Sequence, residues 1–302
     1  TSPLLAYGVI CSDSDILKHH IFVPMNFHIH HPADALRPFV KQYYYWEDDT
    51  RGIIQLPQNL FALGDQYMVF ILEGKAEVKP VNHKAFTLPA GSVLGHLTCA
   101  CQLQVQGPVK AAVVQLNAYG CHRLLGMDAA NFTNYYRNLT AAQPAWQELI
   151  AALQQEKDPQ RIESLLDDAC LAALAQQPAD LREVDDMVDY LLIMQGNVSI
   201  EELTTRYGLS RPTLERIFSK IVGIPPQLYA RMIRYKTALS ALRQLNLPEW
   251  QTPVAATPWY NQAMFIKDYL LFNHETPSYF AGATGTIAHM PVGNRQQVAV
   301  AS

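Results

Sequence analysis

The spacing of hydrophobic residues changes once along this 302-residue chain, near Asn117. From about residue 27 to 116, short β-branched and aromatic runs such as QYMVFIL, AFTLPAGSVLG and KAAVVQLN are separated by Gly, Pro and Asn. Such runs are typical of strands in an antiparallel sandwich or barrel. After Asn117 the apolar residues recur at helical spacing. We therefore predict an α+β chain with a β-rich N-terminal domain and an all-helical C-terminal domain.

Amphipathic segments follow one another after the predicted strands. Two segments each carry one apolar helical stripe, and the helix-breaking sequence KDPQ separates them. The segments are AWQELIAALQQE and RIESLLDDACLAALA. They predict a helical hairpin at residues 144–176 between the domains. A further helical stripe consists of Val184, Met187, Val188, Leu191 and Leu192. With 49% hydrophobic and 17% charged residues, the chain is expected to bury two cores.

Two short helices are predicted to meet at a tight turn in SIEELTTRYGLSRPTLERIFSKIVG. Ser199 stands three residues before Glu202, as in a capping box, and Gly208 suits the left-handed end of a helix. Ser210 can cap the second helix, and Pro212 stands in its first turn. The residues predicted to face inward on the second helix are Leu214, Ile217, Phe218, Ile221 and Val222.

The opposite face of the second helix is polar and charged. In a helix-turn-helix, the N-terminal half of this face reaches base edges, where arginine can bind guanine, while lysine meets phosphate. Residues 196–245 hold eight basic and three acidic residues, although the formal net charge of the chain is -4. This local excess favours DNA binding over a capped helix pair with a solvated face. The residues predicted to read bases are Arg211, Thr213, Glu215 and Arg216, with Pro212 beside them, and those predicted near the phosphates are Arg206, Ser210 and Lys220.

The segment SIEELTTRYGLSRPTLERIFSKIVGIPPQLYARMIRYKTAL resembles the DNA-binding domain of the AraC/XylS transcription regulators. The likeness rests on the GLS turn, the spacing of Leu214 and Phe218, the sequence VGIPPQLY, and Arg234 with Ala238 and Leu242. It implies a transcription regulator that binds specific double-stranded DNA, is not an enzyme and carries no cofactor.

The segment WYNQAMFIKDYLLFNHETPSYF resembles the second helix-turn-helix of the same family, with departures. Pro258 and His274 stand where the family usually has glycine, and Pro253 falls in the preceding helix. Residues 246–302 carry two basic and three acidic side chains. The first motif is therefore predicted to supply most of the DNA binding. By alignment, the groove-facing residues here are Asn261, Gln262, Ala263 and Lys267.

The N-terminal half resembles the family's effector domain, a small cupin-like β fold, in PADALRPFVKQYYYW and VVQLNAYGCHRLLGMDAANFTN. This resemblance implies a small-molecule effector, a homodimer with its contact in the linker, and RNA polymerase as a further partner. The predicted divisions are a cupin-like effector and dimerisation domain at 1–140, a helical linker at 141–180, a DNA-binding domain with two helix-turn-helix motifs at 181–282, and a loose tail at 283–302.

Four consecutive aromatic residues in QYYYW cannot all face the same core. Tyr43, Tyr45 and Trp46 are therefore candidates for lining a pocket for an apolar or aromatic ligand, because such pockets are mostly hydrophobic. Core packing is the competing interpretation.

Two enzyme classes are alternatives to a regulator. FHIHH offers His28, His30 and His31 to a metal, as in metal cupins, but no glutamate follows closely, and strand-surface histidines are the simpler interpretation. GCHRLLG resembles the nucleophile segment of cysteine alkyltransferases in Cys121, although Gly120 stands where those proteins have Pro. The simpler interpretation is a short helix packed through Leu124 and Leu125.

A third alternative is a degenerate regulator that acts through protein partners, which Pro258 and the acidic balance of the last segment suggest.

Five scattered cysteines predict no disulfide framework. The first fifteen residues, TSPLLAYGVICSDSD, lack the basic start of a signal peptide, and no apolar run approaches the roughly 18 residues that cross a bilayer. We therefore expect a cytoplasmic protein with no membrane partner.

Overall fold

The computed structural model describes residues 26–56, 64–141, 143–177, 182–244 and 262–274. The strands are β1 (Asn26–His30), β2 (Val40–Leu56), β3 (Gln66–Pro80), β4 (Phe86–Thr87), β5 (Gly91–Leu94), β6 (Cys101–Leu116) and β7 (Tyr136–Asn138). The α-helices are α1 (Gly120–Leu125), α2 (Ala145–Gln155), α3 (Pro159–Ala175), α4 (Glu183–Ile193), α5 (Ile200–Tyr207), α6 (Arg211–Val222), α7 (Pro226–Gln244) and α8 (Gln262–Asn273). Short 3₁₀ helices span Asp34–Leu36 and Ala129–Phe132. The predicted order of strands before helices is confirmed except for the three-residue strand β7, which follows α1.

The seven strands form one antiparallel sheet in the order β1-β2-β6-β3-β5-β7, with β4 paired to β3. The three long strands β2, β6 and β3 change register at one level, where Asp48 to Gly52 of β2 lies opposite Gly107 to Val109 of β6. Gly74 of β3 lies at the same level with φ of +85°, and a Cβ there would lie 2.6 Å from the carbonyl oxygen of Pro108. Such bulges bend the strands together.

Two hydrophobic cores lie on opposite faces of this sheet. One face of the sheet, which carries Tyr43 and Phe70, packs in a core to which every described α-helix contributes. This core extends to Phe272 of α8. The other face forms a separate core that includes Val69 and Leu103. The described residues thus form two buried cores, as the composition predicts, but the boundary between the cores is the sheet. The effector-like and DNA-binding-like segments share one core.

The predicted hairpin is present as α2 and α3. The α2 residues Trp146, Leu149, Ile150 and Leu153 are buried, as their spacing predicts. In α4 the prediction fails for Leu192, which is 37% exposed because it lies beside the buried stripe and not on it. None of the described helices is long and apolar enough to span a membrane.

Candidate nucleic-acid interface

The two helices of the candidate motif, α5 and α6, meet as the sequence predicts. Ser199 caps α5 by accepting a hydrogen bond from the Glu202 backbone N–H at 3.0 Å. Gly208 ends α5 with φ of +64°, and a Cβ there would meet nothing within 4 Å. Glycine is favoured at this position by the left-handed backbone alone, because residues with a Cβ rarely adopt it.

The start of α6 differs in one detail from the prediction. Ser210 occupies the N-cap position, but its hydroxyl donates to Thr213 Oγ1 at 2.9 Å and makes no side-chain bond to the backbone. Pro212 lies in the first turn, where its missing N–H costs no helical hydrogen bond. A hydrogen bond between the hydroxyls of Ser210 and Thr213 therefore replaces the predicted bond from the Ser210 side chain to the backbone.

The inward face of α6 anchors the motif. Leu214, Phe218 and Val222 are fully buried, and the Phe218 ring centroid lies 5.9 Å from that of Tyr229 on α7. Ile217 is only partly buried and packs against the same core. This packing determines which side of α6 faces solvent.

The outward face of α6 carries most of the residues predicted to contact DNA. Arg211 is exposed and forms an ion pair with Glu215 one turn on, with 2.9 Å between Nε and Oε1. Arg216 and Lys220 are also exposed, four residues apart, and neither forms an ion pair with a described residue. Thr213 is half-exposed between them and the turn. The helix thus presents to solvent two cations that have no carboxylate partner in the described part of the chain.

The excess of positive charge in residues 196–245 is smaller at the surface than in the sequence. Arg231 forms an ion pair with the buried Asp268 of α8, and Arg234 donates to the carbonyl oxygen of Gly196 at 2.5 Å. Lys236 Nζ lies 3.8 Å from Asp65. Asp65 belongs to the predicted β-rich domain at residues 1–140, which we call the β domain. With Arg211, which pairs with Glu215, four of the eight basic residues therefore bind within the chain, and the charge count overestimated the basic surface.

Arg206 lies at the other end of α5 from the predicted cap. Its guanidinium stacks on the Tyr190 ring of α4 at 4.1 Å from the ring centroid. Together with Tyr207 it lines an open groove of about 500 Å³ whose α4 side consists of Asp186, Asp189, Tyr190 and Ile193. Its predicted place near the phosphate backbone stays a prediction.

The second predicted motif is described only in part, as α8. Asn261, Pro253 and Pro258 lie outside the described residues, and Gln262 is the first residue of the helix. Ala263 and Lys267 are exposed, as the alignment predicts for groove-facing residues. Leu270 and Leu271 are exposed as well, at 42% and 36%. The solvent face of α8 is therefore more apolar than that of α6.

His274 follows α8 with φ of +57°, in the left-handed region. It stands where the family usually has glycine, and its Nδ1 lies 3.3 Å from Asn82 Nδ2 of the β domain. The backbone N–H of Ala100 also donates to the carbonyl oxygen of Phe272 at 2.5 Å. The C-terminal end of α8 is thus held against the β domain.

The C-terminal end of α6 is held by the β domain too, which the sequence did not predict. Gln66 Nε2 donates to the carbonyl oxygen of Val222 at 3.1 Å, and Thr133 Oγ1 donates to that of Gly223 at 2.6 Å. Gly223 has φ of +99°, and a Cβ there would lie 3.0 Å from the Ala129 carbonyl oxygen. Carbonyl groups at a helix end lack helical partners, and side chains of another domain satisfy them here.

A buried ionic cluster lies beside this contact. Asp65 is 3% exposed, and its Oδ1 binds Lys41 Nζ at 2.6 Å. Its Oδ2 accepts from Gln115 Nε2 at 2.8 Å, and Lys236 of α7 lies near the same oxygen. Burial alone would raise the pKa of the Asp65 carboxyl, but the charges of Lys236 and Lys41 hold it below its usual value. The charged cluster therefore joins β2, the loop before β3, β6 and α7.

His96 is buried next to this cluster. Its ring centroid lies 6.0 Å from that of Tyr229, and the backbone of Ala118 favours the protonated ring, against the effect of burial. Burial lowers the pKa of His96 to about 4, so the imidazole is neutral at pH 7.

The three aromatic residues proposed as a ligand lining do not lie together. Tyr43 is fully buried toward α3 and donates to Asp167 Oδ1 at 2.7 Å, and Tyr45 belongs to the same core. Trp46 lies on the opposite face of the sheet, in one row with Ala111 and Ile71. Trp46 therefore lies apart from Tyr43 and Tyr45, because adjacent strand residues point to opposite faces, and ligand binding by these residues stays a prediction.

His30 and Cys121, on which the two enzyme alternatives depend, lie in an ion pair and in the hydrophobic core. His30 Nδ1 binds Glu163 Oε2 of α3 at 2.9 Å, and the described residues contain no group of three His, Cys, Asp or Glu placed to hold a metal. Cys121 is fully buried in α1, and burial raises the pKa of its thiol. Leu124 and Leu125 pack into the core beside it, as predicted, so Cys121 is a core residue.

Comparison with known proteins gives one family model, at residues 28–138, described as a domain of unknown function (DUF6597). No protein with a curated description matches the chain. Among solved structures, ToxT from Vibrio cholerae is similar with a TM-score of 0.43 at 9% identity, covering 84% of this chain and 97% of that chain. The AraC-like transcriptional activator CuxR is similar with a TM-score of 0.29 at 12% identity, covering 74% of this chain and 87% of that chain. These likenesses assign no role to the residues of this chain.

Proposed function

We propose that this protein is a transcription regulator, and not an enzyme, that binds specific double-stranded DNA through α5 and α6. The observation that carries the proposal is the outward face of α6, where Arg216 and Lys220 are exposed beyond a tight turn and form no ion pair with a described residue. The resemblance of this segment to the AraC/XylS DNA-binding domain supports the same role. Helix-turn-helix proteins insert such a face into the major groove.

The residues of this face divide into two roles in the proposal. Arg216, near the middle of the exposed face, reads a base together with Thr213 and Pro212. Arg211 and Glu215, already paired at 2.9 Å, act as one unit in which the carboxylate fixes the direction of the guanidinium. The residues assigned to phosphates are Arg206, Ser210 and Lys220. On the second motif, Asn261, Gln262, Ala263 and Lys267 contribute less, because Lys267 is the single cation among them.

The test begins with the full chain and a pool of random duplexes, from which bound sequences are recovered and affinities measured. We expect Arg216→Ala to weaken the selected site by about tenfold or more and to relax the preference at one base position, since a bidentate contact is worth about 1–3 kcal/mol. We expect Lys220→Ala to weaken all duplexes alike and to lower the salt dependence by about one phosphate. Lys157→Ala, an exposed lysine between α2 and α3, is the matched control. Unchanged affinity and preference in Arg216→Ala would remove this assignment.

We also propose a small-molecule effector in the β domain, which is cupin-like in this proposal. The support comes from Trp46, which is partly buried and whose Nε1 is buried with no hydrogen-bond partner among the described residues. The small Ala111 separates it from the partly buried Ile71 in the same row of the sheet. A ligand acceptor could bind the indole N–H there. Tryptophan fluorescence during a small-molecule screen, with Trp46→Phe as control, tests this site.

A second copy of the chain and RNA polymerase are the further partners in this proposal, and the cytoplasm is its place of action. These partners and this location follow from the proposed role as a transcription regulator. Crosslinking of the DNA-bound protein to RNA polymerase subunits would test the polymerase contact, and its absence on a selected duplex would count against direct recruitment.

A further inference from the structure

One stripe of α4 is exposed beside the end of α5. Asp186, Asp189, Tyr190 and Ile193 recur at i, i+3, i+4 and i+7 and form one side of the groove of about 500 Å³. Ile193 is 63% exposed, and Leu192 and Met194 are exposed next to it. The C-terminal end of α4 is therefore an exposed apolar patch next to two aspartates.

A second stripe is exposed on α8. Lys267, Leu270 and Leu271 recur at i, i+3 and i+4, and both leucines are exposed. Apolar side chains at the solvent face of a helix mark a contact surface when they are contiguous. This face therefore suits a protein partner better than a phosphate backbone.

The two stripes have opposite charge. The groove on α4 contains two aspartates, and its one cation, Arg206, already stacks on Tyr190. The stripe on α8 contains Lys267 and no acid at the surface, because Asp268 is buried against Arg231. Two α8 stripes facing each other across a twofold axis would bring like charges together, whereas α8 against α4 pairs Lys267 with a carboxylate.

We propose that two copies of this chain associate head to tail, with the α8 stripe of one copy in the α4 groove of the next. Leucine side chains of α8 cover Ile193 and Tyr190, and Lys267 lies near Asp186 and Asp189. Such a contact is heterologous, so each pair keeps one free groove and one free α8. Copies can then line up along one DNA molecule. Lys267 and Arg206, which also belong to the proposed DNA-binding residues, lie at this contact, so its test uses no DNA.

The main test is a mixing experiment with two variants of the full chain, each of which removes one side of the contact. Ile193→Ser weakens the groove and keeps α8 intact, while Leu270→Ser does the reverse. Labelled Ile193→Ser protein is sedimented alone, with unlabelled Ile193→Ser and with unlabelled Leu270→Ser. We expect faster sedimentation with Leu270→Ser only, because that mixture contains one intact groove and one intact α8.

The expected loss for either variant alone, relative to the unaltered chain, is about tenfold or more in the association constant, since a buried leucine or isoleucine contributes about 1.5–3 kcal/mol. Leu171→Ser, which alters an exposed leucine on the hairpin helix α3, is the matched control and should keep the head-to-tail contact. Equal sedimentation of the two mixtures, or an unaltered chain that stays monomeric at about 100 μM, overturns the proposal. Loss in Leu171→Ser alone would assign the association to α3 instead.

A charge exchange tests the orientation. Asp186→Lys and Lys267→Glu should each weaken association, and the double variant should recover part of it, because the opposite charges are then exchanged. Additive losses in the double variant would contradict the pairing of these two surfaces.

Discussion

α6 and α8 are both aligned with helices that read DNA in the family this sequence resembles, yet their solvent faces differ. α6 presents Arg216 and Lys220, whereas α8 presents Leu270 and Leu271 with the single cation Lys267. Their inner faces are alike, since Phe218 and Phe272 are both buried in the same core. The difference shows that a similar buried inner face can hold a helix in the fold while the charge and polarity of its outer face vary.

The largest expected effect concerns the shared inner face. Phe218→Ala and Phe272→Ala should each lower the free energy of unfolding by about 3–5 kcal/mol, because both leave a cavity at a fully buried position. Urea denaturation of the two variants measures this. If Phe272→Ala left stability unchanged, α8 would not be part of the common core, and the comparison of the two helices would fail.

A pH effect should distinguish α7, which packs against α6 through Tyr229 and Phe218, from the end of α8. Burial lowers the pKa of His96 from 6.5 to about 4 in the folded protein, so the folded state binds fewer protons. The neutral imidazole thus stabilises the fold fully above pH 6.5. As pH falls from 6.5 to about 4, this contribution to the free energy of unfolding is lost, and the loss amounts to about 3 kcal/mol.

Urea denaturation between pH 7 and 4, with His96→Leu as the matched variant, tests this slope. The variant should lose part of the pH dependence because it has no proton to gain. Hydrogen exchange should show that α7, whose Tyr229 contacts His96, opens at acidic pH before the end of α8. An unchanged slope in His96→Leu would show that other groups carry the pH dependence.

The outer faces should differ in DNA binding. Arg216→Ala should weaken the selected duplex by about tenfold or more, while Lys267→Ala should change affinity little, since one exposed lysine neutralises at most one phosphate. Fluorescence anisotropy at two salt concentrations measures both variants. Equal losses would mean that both helices contact DNA and that the contrast between them is smaller than their surfaces suggest.

The smallest expected effect concerns the turn before α6. Gly208→Ala should lower the free energy of unfolding by about 1–2 kcal/mol, because alanine resists φ of +64° although no neighbour lies within 4 Å. Thermal unfolding measures the loss. A neutral result would show that the turn rearranges, and DNA affinity would then report whether α6 keeps its direction.

The local features of the candidate site were predictable. Ser199, Gly208 and the spacing of Leu214 and Phe218 act over a few residues, so their caps, turn and buried face could be predicted from the sequence. The charge excess was less reliable, because Arg231 and Lys236 bind carboxylates that are distant in the chain. A count of charges cannot show which of them are neutralised across the fold.

The sequence by itself determined the succession of strands and helices and the inward faces of α2 and α6, because period and capping are local. Only the tertiary structure decided what the faces meet: Tyr43 against α3, Trp46 on the other side of the sheet, and the end of α6 bound by Gln66. It also placed the two leucines of α8 at the surface. Such contacts join residues far apart in the chain, and their energy depends on geometry that exists only after the sheet and the helices have packed.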